Sequence, residues 1–192
     1  RSTLFPYTTL FRSEPFGSIG SEICEQVSRH RPSEMFLLGH GEQSIYDLLQ
    51  HLGELGVDVP VRPIIADIAD EPTMRRLLSV HRPQVVFHAA AHKHVPLMEE
   101  NCLEALRVNA VGTWILAELS GLYGVERFVM ISSDKAVHPS SVMGATKRIA
   151  ERLLLGAQGV HPSTRYMTVR FGNVLGSRET VQIGRASCRG KV

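Results

Sequence analysis

Short apolar runs alternate with longer stretches of helical periodicity along most of the chain. Glu34–Leu38 (EMFLL), Val61–Ala66 (VRPIIA), Gln84–His88 (QVVFH), Arg127–Ser132 (RFVMIS) and Tyr166–Arg170 (YMTVR) are short, apolar and bounded by turn residues. That pattern predicts strands buried on both faces. Between them, Ser21–His30 places Ile23 and Val27 four residues apart, and Ser44–Leu55 gathers Ile45, Leu48, Leu49 and Leu52 on one helical face. Pro72–Val80 begins with a proline, whose missing N–H costs little in a first helical turn. Leu103–Leu122 reads as one long helix, and Ser141–Leu155 carries Ile149, Leu153 and Leu154. Strands alternating with helices of this length imply βαβ units, right-handed crossovers and a doubly wound parallel α/β sheet of Rossmann-like form.

The two ends do not continue this pattern. Residues 1–13 (RSTLFPYTTLFRS) and 183–192 (IGRASCRGKV) resemble translations of a sequencing adapter and are expected to be non-native segments. The expected domain is 14–182, lacking its first strand. The whole chain has 21 Lys+Arg against 19 Asp+Glu, a net charge of +2, but five of the basic residues lie in the ends. Residues 14–182 are therefore net acidic, which removes any electrostatic case for nucleic acid. No apolar run reaches the length of a membrane span, so no membrane segment is expected here. Cys24, Cys102 and Cys188 are too few and too scattered for a disulfide framework or a zinc site. Cys24 and Cys102 are expected to be packing residues, and the chain to be cytoplasmic.

Gly17-Ser-Ile-Gly20 opens a helix, and glycines at such a turn let the backbone approach a pyrophosphate. A plain helix-start turn has the same form. The order of segments is more specific: GSIGSEICEQ (17–26), QVVFHAAAHKHVPLM (84–98), VNAVGT (108–113), RFVMISSDK (127–135), VMGATKR (142–148) and VRFGNVLGS (169–177) follow one another. Together they resemble the extended short-chain dehydrogenase/reductases that act on nucleotide sugars. The likeness is to the polysaccharide-biosynthesis branch of UDP-N-acetylglucosamine 4,6-dehydratases. The resemblance implies NAD as cofactor, a UDP-sugar as substrate, and a role in bacterial surface glycans. It leaves a homo-oligomer open. Members of that branch continue into a substrate lobe and some carry membrane helices upstream. This chain is therefore expected to be an internal fragment with little or no turnover, its parent lying at the cytoplasmic face of the inner membrane.

By resemblance, Gly17, Ser18, Ile19 and Gly20 line the NAD pyrophosphate, and Asp67 with Ile68 meets the adenine. On chemistry alone Asp67 serves equally as a helix cap or turn residue. Ala89, Ala90 and Ala91 let the backbone pass close to the dinucleotide, or simply permit close packing. Asn109 fits best a structural role, holding the loops of the cofactor site. After the second strand, Leu38-Gly39-His40-Gly41 lacks the acid that often reads the adenosine ribose, so NAD over NADP is implied by the resemblance alone. His92 and Lys93 are expected on a substrate-facing loop, and Arg170 and Asn173 near the nucleotide diphosphate. No spacing suggests a metal site.

Ser133, Asp134 and Lys135 end a predicted strand, at the sheet edge where ligands bind in open α/β sheets. An adjacent acid and base suit an elimination. The resemblance implies that Lys135 removes the C5 proton of a 4-keto sugar while Asp134 protonates the leaving C6 hydroxyl, which calls for a raised Asp134 pKa. A solvated surface ion pair is the alternative. Lys147 is expected on the nicotinamide ribose. Met143 stands where most of the superfamily has the tyrosine of Tyr-x-x-x-Lys; it cannot ionise, which leaves Ser132, Ser133 or a water for the proton. The rival functions are a nucleotide-sugar 4-epimerase, which needs no elimination machinery, and a non-catalytic dinucleotide-binding fragment.

Overall fold

Strand β2 (Glu34–Gly39) shows how the core divides. Successive side chains on a strand point to opposite faces. Met35 and Leu37 join Cys24, Ile45, Leu48 and Leu52 in one cluster, whereas Phe36 and Leu38 join Met74, Leu78, Leu116, Phe128, Met130 and Leu154 in another. The sheet is thus the middle of three layers. A computed structural model of the chain describes residues 8–12 and 18–172.

Around β2 lie β1 (Thr8–Arg12), β3 (Val61–Ile65), β4 (Val85–His88), β5 (Arg127–Ser133) and β6 (Arg165–Phe171). All pairs are parallel, in the order β3-β2-β1-β4-β5-β6. The first layer is α1 (Ser18–Ser28) and α2 (Glu42–Glu54). The other holds α3 (Glu71–His81), α6 (Thr113–Leu122) and α7 (Val142–Val160). The short helices α4 (Val95–Glu100) and α5 (Cys102–Leu106) follow β4. The strand order reverses between β1 and β4, and the crevice at such a switch point is where open α/β sheets bind ligands.

Three expectations are corrected. The first strand is present: Thr8–Arg12 fills the centre of the sheet, inside the segment set aside as adapter-like. Its two threonines and phenylalanine are good strand formers whatever their origin. Second, the helix expected over 103–122 is present but changes its hydrogen-bond pattern midway. A π-helix spans Arg107–Gly112 between α5 and α6, and such segments are frequent at functional sites. Gly112 lies so close to Ile68 that an added Cβ would come within 2.4 Å of the isoleucine Cδ1. Third, among the strands whose side chains are described only β2 is buried along both faces. β3 and β6 are edges; Pro63 suits the first, and Val169 and Phe171 leave the second 39% and 37% exposed. Cys24 is buried as expected, but Cys102 is exposed at the start of α5. Among the described residues no helix is long and apolar enough to cross a membrane.

Candidate functional site

Helix α7 builds one side of the carboxyl-terminal sheet edge. Ser141 caps it, its Oγ accepting from the Gly144 N–H at 3.1 Å, and Glu99 of α4 accepts from the Val142 N–H at 2.8 Å. These contacts satisfy N–H groups that the first turn leaves open. Gly144 lets the helix approach the turn after β5: a Cβ there would stand 2.5 Å from the Lys135 carbonyl oxygen.

The buried stripe of α7 then delivers Met143, Lys147 and Glu151, four residues apart. Met143 is enclosed with Met98 and Ala105 in an apolar cluster. Lys147 is buried, and its Nζ donates to the Ile131 carbonyl of β5 at 3.0 Å. Glu151 is buried and accepts from Ser132 Oγ at 2.7 Å, from Arg170 Nε at 2.8 Å and from Arg148 at 3.2 Å. The Arg170 guanidinium grips both of its oxygens, and this, with Ser132 and Arg148, holds the carboxyl at about 2 despite its burial. Ser132, a candidate for the proton left by Met143, is therefore committed to Glu151. Arg170, expected at a nucleotide diphosphate, is a partner of that same carboxylate.

Beyond Ser132 the chain turns through a 3-10 helix, Asp134–Ala136. Ser133 Oγ donates to Asp134 Oδ1 at 3.0 Å and accepts from the Lys135 N–H at 3.3 Å. Lys135 Nζ lies 3.3 Å from Asp134 Oδ1. The pair thus sits together at one edge, with both side chains about half exposed. The raised Asp134 pKa is not found. The Ser133 hydroxyl first, and then Lys135, hold the carboxyl below its usual value. Asp134 also approaches the end of β6, its Oδ2 standing 3.6 Å from where a Cβ on Gly172 would lie.

On the cofactor side, Ser18 opens α1, Gly20 is buried and Ile19 is partly buried. Ala90 and Ala91 are buried directly after β4, while Ala89 is partly so. Ala89–Ala91 thus follow β4, one of the two strands at the switch point. Asn109 is fully buried in the π-helix and clasps His92, accepting from its N–H at 2.8 Å and donating to its carbonyl at 3.1 Å. It also donates to Thr146 Oγ1 at 3.1 Å. Its amide is committed to protein and ties the His92 loop to α7. Asp67 accepts from the Ala69 N–H at 2.9 Å and from Arg107 at 2.9 Å, a turn and ion-pair role beside any nucleotide contact. The Ile68 side chain is buried in the core, so a nucleotide could meet only its main chain. Arg107 also pairs with Glu104 at 2.8 Å, and Glu104 lies 3.6 Å from His92. Lys93 is exposed on the same loop. Gly17 and Asn173 lie outside the described residues. No group of three metal-ligating side chains occurs among the described residues.

Sequence reasoning missed Glu151, Arg148, Arg107 and Glu99. For Glu151 a signal existed: it falls on the stripe of α7 that also carries Met143, Lys147 and Leu154, and a charge in that place requires partners.

Residues 15–182 match a family described as polysaccharide biosynthesis protein. The chain belongs to that family. A relative, the probable polysaccharide biosynthesis protein EpsC of Bacillus subtilis (strain 168), is 52% identical over 166 residues, 86% of this chain and 28% of the relative. An inverting UDP-N-acetylglucosamine 4,6-dehydratase of Campylobacter jejuni (strain ATCC 700819 / NCTC 11168) is 36% identical over 124 residues, covering 63% of this chain and 36% of that enzyme. Among solved structures, Pen from Bacillus thuringiensis superposes with a TM-score of 0.80 at 31% identity, over 93% of this chain and 54% of that one. The chain thus spans about a quarter to a half of the length of these relatives.

Proposed function

We propose that these residues form the cofactor-binding and catalytic half of an NAD-dependent nucleotide-sugar 4,6-dehydratase acting on UDP-N-acetylglucosamine in surface-glycan biosynthesis. The observation that carries this reading is the Asp134–Lys135 pair, 3.3 Å apart at the end of β5, on the same edge as buried Lys147. The likeness to the Campylobacter jejuni dehydratase points the same way. Small residues support a dinucleotide there: Ala90 and Ala91 directly follow β4, one of the two strands at the switch point, and Gly20 lies in the first turn of α1.

When bound, NAD would supply removal of hydride from sugar C4, which acidifies the neighbouring C5 proton, and return of that hydride to C6 once water has left, with a proton restored at C5, so that the ketone stays at C4 and the cofactor ends as it began. Lys147 orients the nicotinamide ribose. As an amine, Lys135 takes the C5 proton; as an acid, Asp134 gives its proton to the C6 hydroxyl, which leaves as water. Ser133 aims the Asp134 carboxyl through its 3.0 Å hydrogen bond.

The low Asp134 pKa is compatible with an acid role because the couple holds its proton jointly. Moving one proton from the Lys135 ammonium to the Asp134 carboxylate converts the ion pair into a neutral acid and amine with no change in total charge. Water favours the ion pair, and covering it with a sugar favours the neutral form, since burial penalises both charges. Substrate therefore arms the couple.

The test uses the full-length gene product with NAD and UDP-N-acetylglucosamine, and identifies the product. Expected is a 4-keto-6-deoxy sugar, lost by about 100-fold or more in Asp134→Asn and Lys135→Ala. Unchanged product formation in those variants, or a C4 epimer as the product, overturns the proposal.

A further inference from the structure

Two consecutive residues of β5 are bolted to one face of α7. The Ile131 carbonyl receives Lys147 Nζ at 3.0 Å, and Ser132 Oγ donates to Glu151 at 2.7 Å. Lys147 and Glu151 are one helical turn apart, so the two bolts run side by side. Ser132 is also the register partner of Arg170 in the β5–β6 ladder, and Arg170 closes on both oxygens of Glu151. One buried carboxylate therefore grips both strands at the same rung, two residues before Asp134. β5 ends one residue on, at Ser133, and the catalytic turn begins.

We propose that Glu151 is a positioning residue: it sets the β5 tip, and with it the Asp134–Lys135 pair, at a fixed distance from Lys147. The role assigned to those three residues rests on the function proposed above. Glu151 itself touches neither cofactor nor substrate. Without it, the rung at Ser132 loses its tie to α7, and the turn bearing Asp134 and Lys135 can shift against the helix bearing Lys147. Small displacements of this kind cost rate steeply because the reacting groups must meet in one geometry.

The experiment compares Glu151→Gln, Glu151→Asp and Ser132→Ala in the full-length gene product. NAD affinity, kcat per folded molecule, KM for UDP-N-acetylglucosamine and the thermal midpoint are measured for each. Expected for Glu151→Gln are NAD binding weakened about tenfold and kcat lowered about 10–100-fold with KM within about twofold. Glu151→Asp recovers part of both. Ser132→Ala, which cuts only the tie to β5, gives a smaller change in the same direction; it carries the test alone if Glu151→Gln does not fold. Wild-type NAD affinity and kcat per folded molecule in folded variants overturn the proposal, whatever happens to the thermal midpoint. If the wild-type protein binds NAD but transforms no UDP-sugar, the dehydratase reading fails, and the NAD affinities of the variants still decide the role of Glu151.

Discussion

At the scale of single residues, burial and charge are assigned contrary to first intuition. The acid expected to be perturbed upward, Asp134, lies in the open, and its pKa is lowered by a hydroxyl and an ammonium. The strongly buried carboxylate is Glu151, and it too is lowered, to about 2, because three donors outweigh its desolvation. A carboxyl whose folded pKa falls below its ordinary 4.5 binds its proton less readily in the native state. Its stabilising contribution is complete above the unfolded value and is lost as pH falls through the folded one. That contribution is on the order of 2 kcal/mol, less than the full shift implies, since both arginines are partly exposed and screened. The gap in thermal midpoint between the wild-type chain and Glu151→Gln should be constant above about pH 5 and close as pH falls towards 2. A gap that does not change with pH would mean that the carboxylate charge is not what stabilises this contact.

At the scale of elements, the joint between α7 and the turn after β5 depends on one missing methyl group. The Cβ of an alanine at 144 would stand 2.5 Å from the main-chain oxygen of Lys135, and that oxygen cannot rotate away as a side chain could. Gly144→Ala should therefore cost about 1–3 kcal/mol of stability, the usual range for overpacking. It should lower kcat more than the loss of folded protein explains, because the helix and the turn must part. Denaturant titration and active-site counting together measure both; a stability loss with unaltered kcat per folded molecule would place the strain elsewhere. The five strand runs and the buried stripe of α7 are legible in the sequence because each repeats with its own period. The π-helix at Arg107–Gly112 is not. A local change of hydrogen-bond partner leaves the apolar pattern of 103–122 unbroken, and the contact made from that turn, Asn109 clasping the His92 main chain, reaches a residue seventeen positions away. The α7 stripe signals a buried charge at Glu151, but its partners Ser132 on β5 and Arg170 on β6 were hidden for the same reason, each lying nineteen residues away.

At the scale of the whole molecule, the sheet order places its greatest dependence on the least expected strand. β1 pairs with β2 through Thr8–Arg12 and with β4 through Thr9–Arg12, and among the described residues no other strand joins the two halves. Origin does not enter into strand formation: a run with two threonines and a phenylalanine supplies the β-propensity and the ladder groups that the central position demands. The order β3-β2-β1-β4-β5-β6 could be foreseen only in outline from the βαβ alternation, since right-handed crossovers fix the hand of each step but not which strand stands first. Removal of β1 would leave β2–β3 and β4–β5–β6 as separate ladders, each with a row of unpaired main-chain N–H and C=O groups facing the gap. Burying those groups unpaired is costly, and solvating them opens the core clusters that β2 and β4 share. Deletion of residues 1–12 should therefore abolish the single cooperative thermal transition of the 192-residue chain and expose apolar surface to a hydrophobic dye. A deletion variant that unfolds in one step at the wild-type midpoint would show that the two ladders close directly on each other, and that Thr8–Arg12 adds to a sheet already complete without it.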